Sequence, residues 1–253
     1  MNGGFKMRIL VLVLSIVTVL ITSFNIVISL DKVEAQNTNI SSSEEVIEKE
    51  KNEHEVSEYI EGEAPLYIDG IVVVNKDYGL PRNFKSDLEE EALQAVDDII
   101  AAAKKENIAI KVRSGFRSYD NQVQLFKTYA NRDGSSKANT YSAHAGFSEH
   151  QTGLAFDFTT GKSNKSIGVW FDDTAQAKWL YENAYKFGFV LRYPEDKDHI
   201  TGYMHESWHY RYVGKEHSKN FKMNDLTLEE YLGLYDGSSD NNEDDDLDDN
   251  LDD

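Results

Sequence analysis

The 253-residue sequence predicts an α+β domain between two acidic flanks. Three observations carry that expectation. Segments of helical and strand periodicity are mixed across residues 64–235 without a regular βαβ alternation, and no phosphate-cradling glycine loop appears. The stretch of about 170 residues is long enough for one hydrophobic core. Charge is segregated. The formal net charge is −19, yet residues 64–235 hold 24 acids against 21 bases, while residues 31–63 hold 11 acids against 3 bases and residues 236–253 hold 10 acids and no base. The acidic balance argues against attachment to nucleic acid through a general basic surface. With no cysteine, disulfides, thiol catalysis and thiolate-bound metals are excluded, so a metal must be held by His, Asp or Glu.

Ile9–Leu30 carries no charged residue. As a helix its 22 residues would span about 30 Å, the thickness of a bilayer's hydrocarbon core. Lys6 and Arg8 precede it. Residues 1–35 therefore read as a membrane anchor or, with Val33-Glu34-Ala35 as a small-residue cleavage site, a signal peptide; either places the rest outside the cytoplasm. Residues 36–63 read as a solvated acidic spacer, with a short helix possible over Glu44–Tyr59 and a sequon at Asn39. Residues 236–253 read as a disordered, self-repelling acidic tail without the ordered spacing of a calcium loop.

Within the domain, Tyr67–Asn75 is strand-like around Gly70. Ser86 and Glu89 have capping-box form and open a helix to about Glu106, with Leu88, Ala92, Ala95, Val96, Ile99 and Ile100 on its apolar face. Ile108–Val112 alternates as a strand. Ser118 caps a second helix through Tyr129, with Val123, Phe126 and Ala130 turned to the core. A Gly- and Ser-rich stretch follows to Phe147. Leu154–Phe158 is a strand, Asp172 or Asp173 starts a helix that stops before Gly188, and Phe189–Tyr193 and Trp208–Val213 are aromatic strands. Thr227 and Glu230 mark a last capped helix.

Three polar clusters could carry chemistry: Ser114–Gln122, Ser148–Asp157 and His205–His209. His150, Asp157 and His209 would supply the three protein ligands of a catalytic zinc site, with Glu206 in reach of a bound water as general base. Each residue also has an ordinary structural role open to it: a satisfied hydrogen bond for His150 and Asp157, an ion pair for Arg117, a turn for Gly115 and Gly153. A rival zinc reading takes His205-Glu206-Ser207-Trp208-His209 as a helical H-E-x-x-H with Glu229 as third ligand. Tyr203, Trp208, Tyr210, Tyr212 and Val213 favour a strand there, and on a strand residues four apart lose the helical geometry.

Together these clusters resemble the VanY-type D-alanyl-D-alanine carboxypeptidases, a zinc peptidase family shared with VanX-type dipeptidases and L,D-carboxypeptidases. The resemblance covers about residues 66–215, through Ser114-Gly-Phe-Arg117-Ser-Tyr-x-x-Gln122, Ser148-Glu-His150-Gln-Thr-Gly-Leu-Ala-x-Asp157 and Glu206-x-Trp208-His209-Tyr-Arg-Tyr-Val-Gly214. It implies a single zinc-peptidase domain with a small antiparallel sheet flanked by helices. It implies one zinc ion on His150, Asp157 and His209, Glu206 as catalytic base, and Arg117 binding substrate and steadying the developing oxyanion. Gln122, Ser148 and Tyr193 match positions of the substrate pocket, and Trp208 packs its wall. The implied substrate is the peptidoglycan stem peptide outside the membrane, cut at its terminal D-alanine, with an L,D bond or a non-catalytic wall-binding role as alternatives. Ser207 stands where family members commonly have proline, Ala145-Gly146-Phe147 where Pro-Gly is frequent, and His144 and His205 are additional.

Overall fold

The computed structural model describes residues 54–161, 166–235 and 237, all in the second of two units that divide at Glu53 and His54. The expected membrane segment, cleavage site, sequon and nearly all of the acidic tail lie outside the described residues. No helix among the described residues is long and apolar enough to cross a membrane.

The strands are β1 (Tyr67–Ile68), β2 (Ile71–Val72), β3 (Ile110–Ser114), β4 (Ala155–Thr160), β5 (Phe189–Leu191) and β6 (His209–Tyr212). The helices are α1 (Glu89–Lys105), α2 (Tyr119–Asp133), α3 (Ser135–Asn139), α4 (Ala175–Asn183), α5 (Asp198–Thr201), α6 (Lys215–Asn224) and α7 (Leu228–Tyr231). β3, β4, β6 and β5 form a wholly antiparallel sheet in that order. The α+β expectation, with its small antiparallel sheet, matches this architecture.

Strand alternation sorts the sheet into two faces. Phe156 and Phe158 of β4, Phe189 of β5 and Tyr210 and Tyr212 of β6 enter one core, against the Ala92–Val96–Ile99–Ala103 face of α1. The rings meet edge to face, as in Phe158–Phe189 and Phe189–Tyr212. The residues between them, Asp157, His209 and Arg211, point the other way. A second core joins Ile68, Ile71, Val190 and Val213 to Phe221 and Leu228 of the C-terminal helices and to Leu232 just beyond them.

Local chemistry explains where the elements depart from expectation. The segment Tyr67–Asn75 folds back as a hairpin, because Asp69 (φ 51°) and Gly70 (φ 76°) adopt the left-handed turn that matches strand twist. Residues 54–59, the described part of the expected spacer helix, are not helical, and Val56 bridges to Ile68. The Ser86 capping box does not form: the Ser86 hydroxyl accepts from Leu88 N–H, the helix begins at Glu89, and Leu88 is exposed. Ser118 does cap α2, and Thr227 and Glu230 form a complete capping box on α7. The face of α2 differs too. Val123 is exposed and Gln122 is buried, because Gln122, Leu125, Tyr129 and Arg132, at helical spacing, face a polar cleft and not the apolar core.

Candidate active site

Strand register assembles the site. β4 and β6 pair so that Asp157 lies opposite His209, and β3 sets Ser114 opposite Asp157. His150 arrives from a single 3₁₀ turn, Glu149–Thr152, that precedes β4. Gly153 ends that turn at φ 73°, and a Cβ there would lie 3.0 Å from the Glu89 side chain. Only glycine meets both conditions without strain. Glu206 lies in the turn before β6, closed by a bond from His209 N–H to the Glu206 carbonyl.

His150, Asp157 and His209 each offer a ligand atom, and these atoms lie within 4.8 Å of one another in a buried cluster. The tautomers follow from the outer partners. Nδ1 of His150 lies 2.8 Å from the Gly115 carbonyl, and Nε2 of His209 lies 3.2 Å from a Glu149 carboxylate oxygen. Both partners only accept, so both nitrogens donate. That leaves Nε2 of His150 and Nδ1 of His209 facing Asp157, at 3.2 and 3.1 Å. Two imidazole nitrogens, each oriented from behind, and a carboxylate oxygen suit a borderline metal such as zinc.

The charges around the cluster are uneven. Burial would raise Asp157, but His150 and His209 hold it far below the usual carboxylate range. Burial lowers His150. Burial would also lower His209, but the Asp157 and Glu149 carboxylates outweigh it and raise the imidazole to about 9. Glu206 lies 3.8 Å from His209 Nδ1, and desolvation lifts its carboxyl to about 8 against the pull of His209 and Arg117.

Arg117 donates to Gln122 Oε1 and Ser114 Oγ, each at 2.9 Å, and its N–H holds the His150 carbonyl. Its side-chain partners are neutral, so the guanidinium keeps its charge for an incoming anion. Gln122 in turn donates to the Ala143 carbonyl, so both ends of its amide are occupied. It positions Arg117. Arg117, Gln122, Ser148, Glu149, His150, Asp157, Tyr193, Glu206, Trp208 and His209 all line one cleft of about 730 Å³. Every residue that the family resemblance assigned to the site is therefore in one place.

The helical H-E-x-x-H arrangement is absent. Residues 204–206 have no regular structure and His209 begins a strand. His205 Nδ1 lies against the Tyr193 carbonyl, and Glu229 is committed to Arg192 at 2.6 and 2.9 Å. His144 packs on the Phe126 ring. Ser207, in place of the family's usual proline, donates its hydroxyl to Asp172.

Sequence reasoning missed what stands behind His209. Glu149 is fully buried; one carboxylate oxygen takes bonds of 2.8 Å from both Arg192 and Arg211, the other faces His209. The two arginines hold Glu149 well below the ordinary range against the opposing effect of burial. Arg192 then continues to Glu229. The available signal was Arg192 and Arg211, single charges flanked by Leu191–Tyr193 and Tyr210–Tyr212 in aromatic strand segments: a cation there needs a buried anion.

The fold and site thus define an α+β protein with a mononuclear metal-ligand cluster at the end of a polar cleft. The chain belongs to the VanY family: the model of that family, described as D-alanyl-D-alanine carboxypeptidase, matches residues 85–215. Bacillus subtilis (strain 168) YodJ is 42% identical over 180 residues, covering 64% of this chain and 66% of YodJ. The chain thus spans just under two thirds of that curated relative. The L,D-carboxypeptidase DacB of Streptococcus pneumoniae is 38% identical with TM-score 0.62, over 72% of this chain and 96% of DacB. A mutant VanY D,D-pentapeptidase from a VanB-type vancomycin-resistance cassette, solved in complex with Zn(II), is 32% identical with TM-score 0.56, over 63% of this chain and 97% of its own.

Proposed function

We propose that this chain is a zinc metallocarboxypeptidase that removes the C-terminal D-alanine from peptidoglycan stem peptides, outside the cytoplasmic membrane. The observation that carries the reading is the convergence of His150, Asp157 and His209 beside Glu206 and Arg117 in one cleft. His150 Nε2, an Asp157 oxygen and His209 Nδ1 would hold the ion. Zinc supplies Lewis acidity that acidifies water and polarises a carbonyl. Glu206 takes the proton of the attacking water and returns it to the leaving amine. A carboxyl displaced to about 8 by burial holds that proton firmly at neutral pH, and a nearby dication shifts it back toward the ionised form needed in a base. Arg117 offers fixed donors to the developing oxyanion or the terminal carboxylate. Gln122 and Ser114 keep that guanidinium aimed; Ser148, Tyr193 and Trp208 shape the walls. Residues 1–35 would tether or export the domain, and residues 36–53 would extend its reach, since the chain from His54 onward is bridged to the domain's hairpin.

A second reading, cleavage of an L,D bond in a tetrapeptide stem, is favoured by the higher identity to DacB than to the VanY D,D-pentapeptidase. The test is D-alanine release from pentapeptide and tetrapeptide stems by the zinc-loaded chain, followed by mass spectrometry. Release from pentapeptide that falls at least ~10³-fold in Glu206→Ala supports the D,D reading. Release from tetrapeptide alone assigns the L,D reading, and release from neither rejects the carboxypeptidase.

A further inference from the structure

The β3–β4 pairing is irregular at one residue. Val112 faces Phe158 and Ser114 faces Asp157, so two adjacent positions of β4 oppose two positions of β3 that are two apart. The extra residue is Arg113, a β-bulge. Its effect is directional. In a regular strand Val112 and Ser114 would share a face. Here Val112 packs against the apolar core while Ser114 turns to the cleft and accepts from Arg117. Arg113 is left over, exposed at the cleft wall.

Three arginines line this cleft. Arg117 is held by Gln122 and Ser114 deep in the site. Arg132 is taken by Asp133, with Nε and Nη2 bonds of 2.7–3.0 Å, and by Tyr141. Of the three, only the Arg113 side chain has no hydrogen bond or ion pair among the described residues. A free guanidinium fork matches a carboxylate in shape and charge. A cleft of about 730 Å³ is the size that encloses a ligand of several residues, more than the two flanking a scissile bond.

We propose that Arg113 is a specificity-determining residue whose guanidinium pairs with a carboxylate on the acyl side of the scissile bond, selecting stem peptides that carry it free over those in which it is amidated. The proposal rests on the stem-peptide reading above. Two groups of a stem present this chemistry: the α-carboxylate of a γ-linked D-glutamate and the side-chain carboxylate of a diamino diacid at the third position.

Three pentapeptides separate these sources: D-isoglutamine with L-lysine (neither carboxylate), D-isoglutamate with L-lysine, and D-isoglutamine with diaminopimelate. Calorimetric Kd values are measured on the zinc-loaded full chain carrying Glu206→Gln, so the readout does not depend on turnover. One carboxylated peptide is expected to bind about five- to tenfold tighter than the first peptide. Arg113→Gln is expected to erase that difference, and Arg113→Lys to keep part of it. The peptide that shows the gain identifies the source. Equal affinity for all three, or an equal loss for all three in Arg113→Gln, overturns the proposal. Cleavage of the first peptide by the wild-type chain is followed in parallel. Its failure counts against the carboxypeptidase reading, whereas the carboxylate-dependent Kd difference bears on Arg113 alone.

Discussion

The two histidines of the metal-ligand cluster are held from behind in different ways. His150 donates to the Gly115 carbonyl, a neutral backbone group fixed where β3 ends. His209 donates to the Glu149 carboxylate, itself clamped by Arg192 and Arg211 and tied through Arg192 to Glu229 of α7. The consequence is visible in their proton affinities: burial leaves His150 below its ordinary value, while carboxylates on both sides raise His209 to about 9. One ligand is oriented by the chain's path and withstands side-chain substitution. The other is oriented by four buried charges, two acids and two bases, and inherits their fragility.

The largest effect should follow from removing the carboxylate of that clamp. Glu149→Ala leaves Arg211 in the interior with backbone carbonyls only and Arg192 with Glu229 alone, and is expected to cost about 3–5 kcal/mol in urea unfolding. A loss below ~1 kcal/mol would mean that the arginines find other partners and the clamp is not structural. Next comes metal affinity. Glu149→Gln keeps the shape but weakens the acceptor behind His209, and a zinc Kd weaker by about 10–100-fold is expected from chelator competition. Gly115→Ala keeps the carbonyl behind His150, and its Cβ meets only the Phe156 ring at ordinary contact. Its Kd should stay within ~3-fold. Equal losses for the two variants would erase the distinction between the histidines.

How much of this was legible beforehand follows the same division. The candidate ligands, Glu206 and Arg117 stand in compact motifs at turns and in the strands next to them, where local chemistry and residue type speak for themselves. Cross-strand register then set Asp157 opposite His209. The Glu149–Arg192–Arg211–Glu229 network spans 80 residues of sequence and exists only through tertiary burial, so Glu149 read as one more letter of a motif. The α2 face was misjudged for a related reason. Periodicity reports which side of a helix is packed, and in α2 the packed side meets a polar cleft at Gln122. The Ser86 box matched the pattern, but its hydroxyl satisfied the nearer Leu88 N–H.

A pH series sharpens the comparison further. In the metal-free protein His209 is raised, so its contribution to stability is complete below its ordinary value near 6.5 and is lost as pH rises through about 9. Glu206 is also raised, so ionising it penalises the folded form as pH climbs from its ordinary value to about 8. Both signs agree: the metal-free Tm should fall between pH 6 and 9. Zinc must displace the His209 proton, so its affinity should strengthen over the same range. Glu149→Gln should flatten both slopes, leaving the part due to Asp157; unchanged slopes would remove Glu149 as a cause of the His209 shift. The smallest effect is expected at the far end of the network. Thr227→Ala removes the cap that seats α7 and Glu229 and should cost about 1 kcal/mol, with zinc Kd moved less than ~3-fold.

The central claim is that His150, Asp157 and His209 hold the zinc and His205 does not. Zinc content per chain, measured by mass spectrometry after dialysis, tests it directly. About one ion per wild-type chain, kept in His205→Ala and lost in both His150→Ala and His209→Ala with the fold intact by circular dichroism, is the expected result. Zinc lost in His205→Ala and kept in His150→Ala would contradict it.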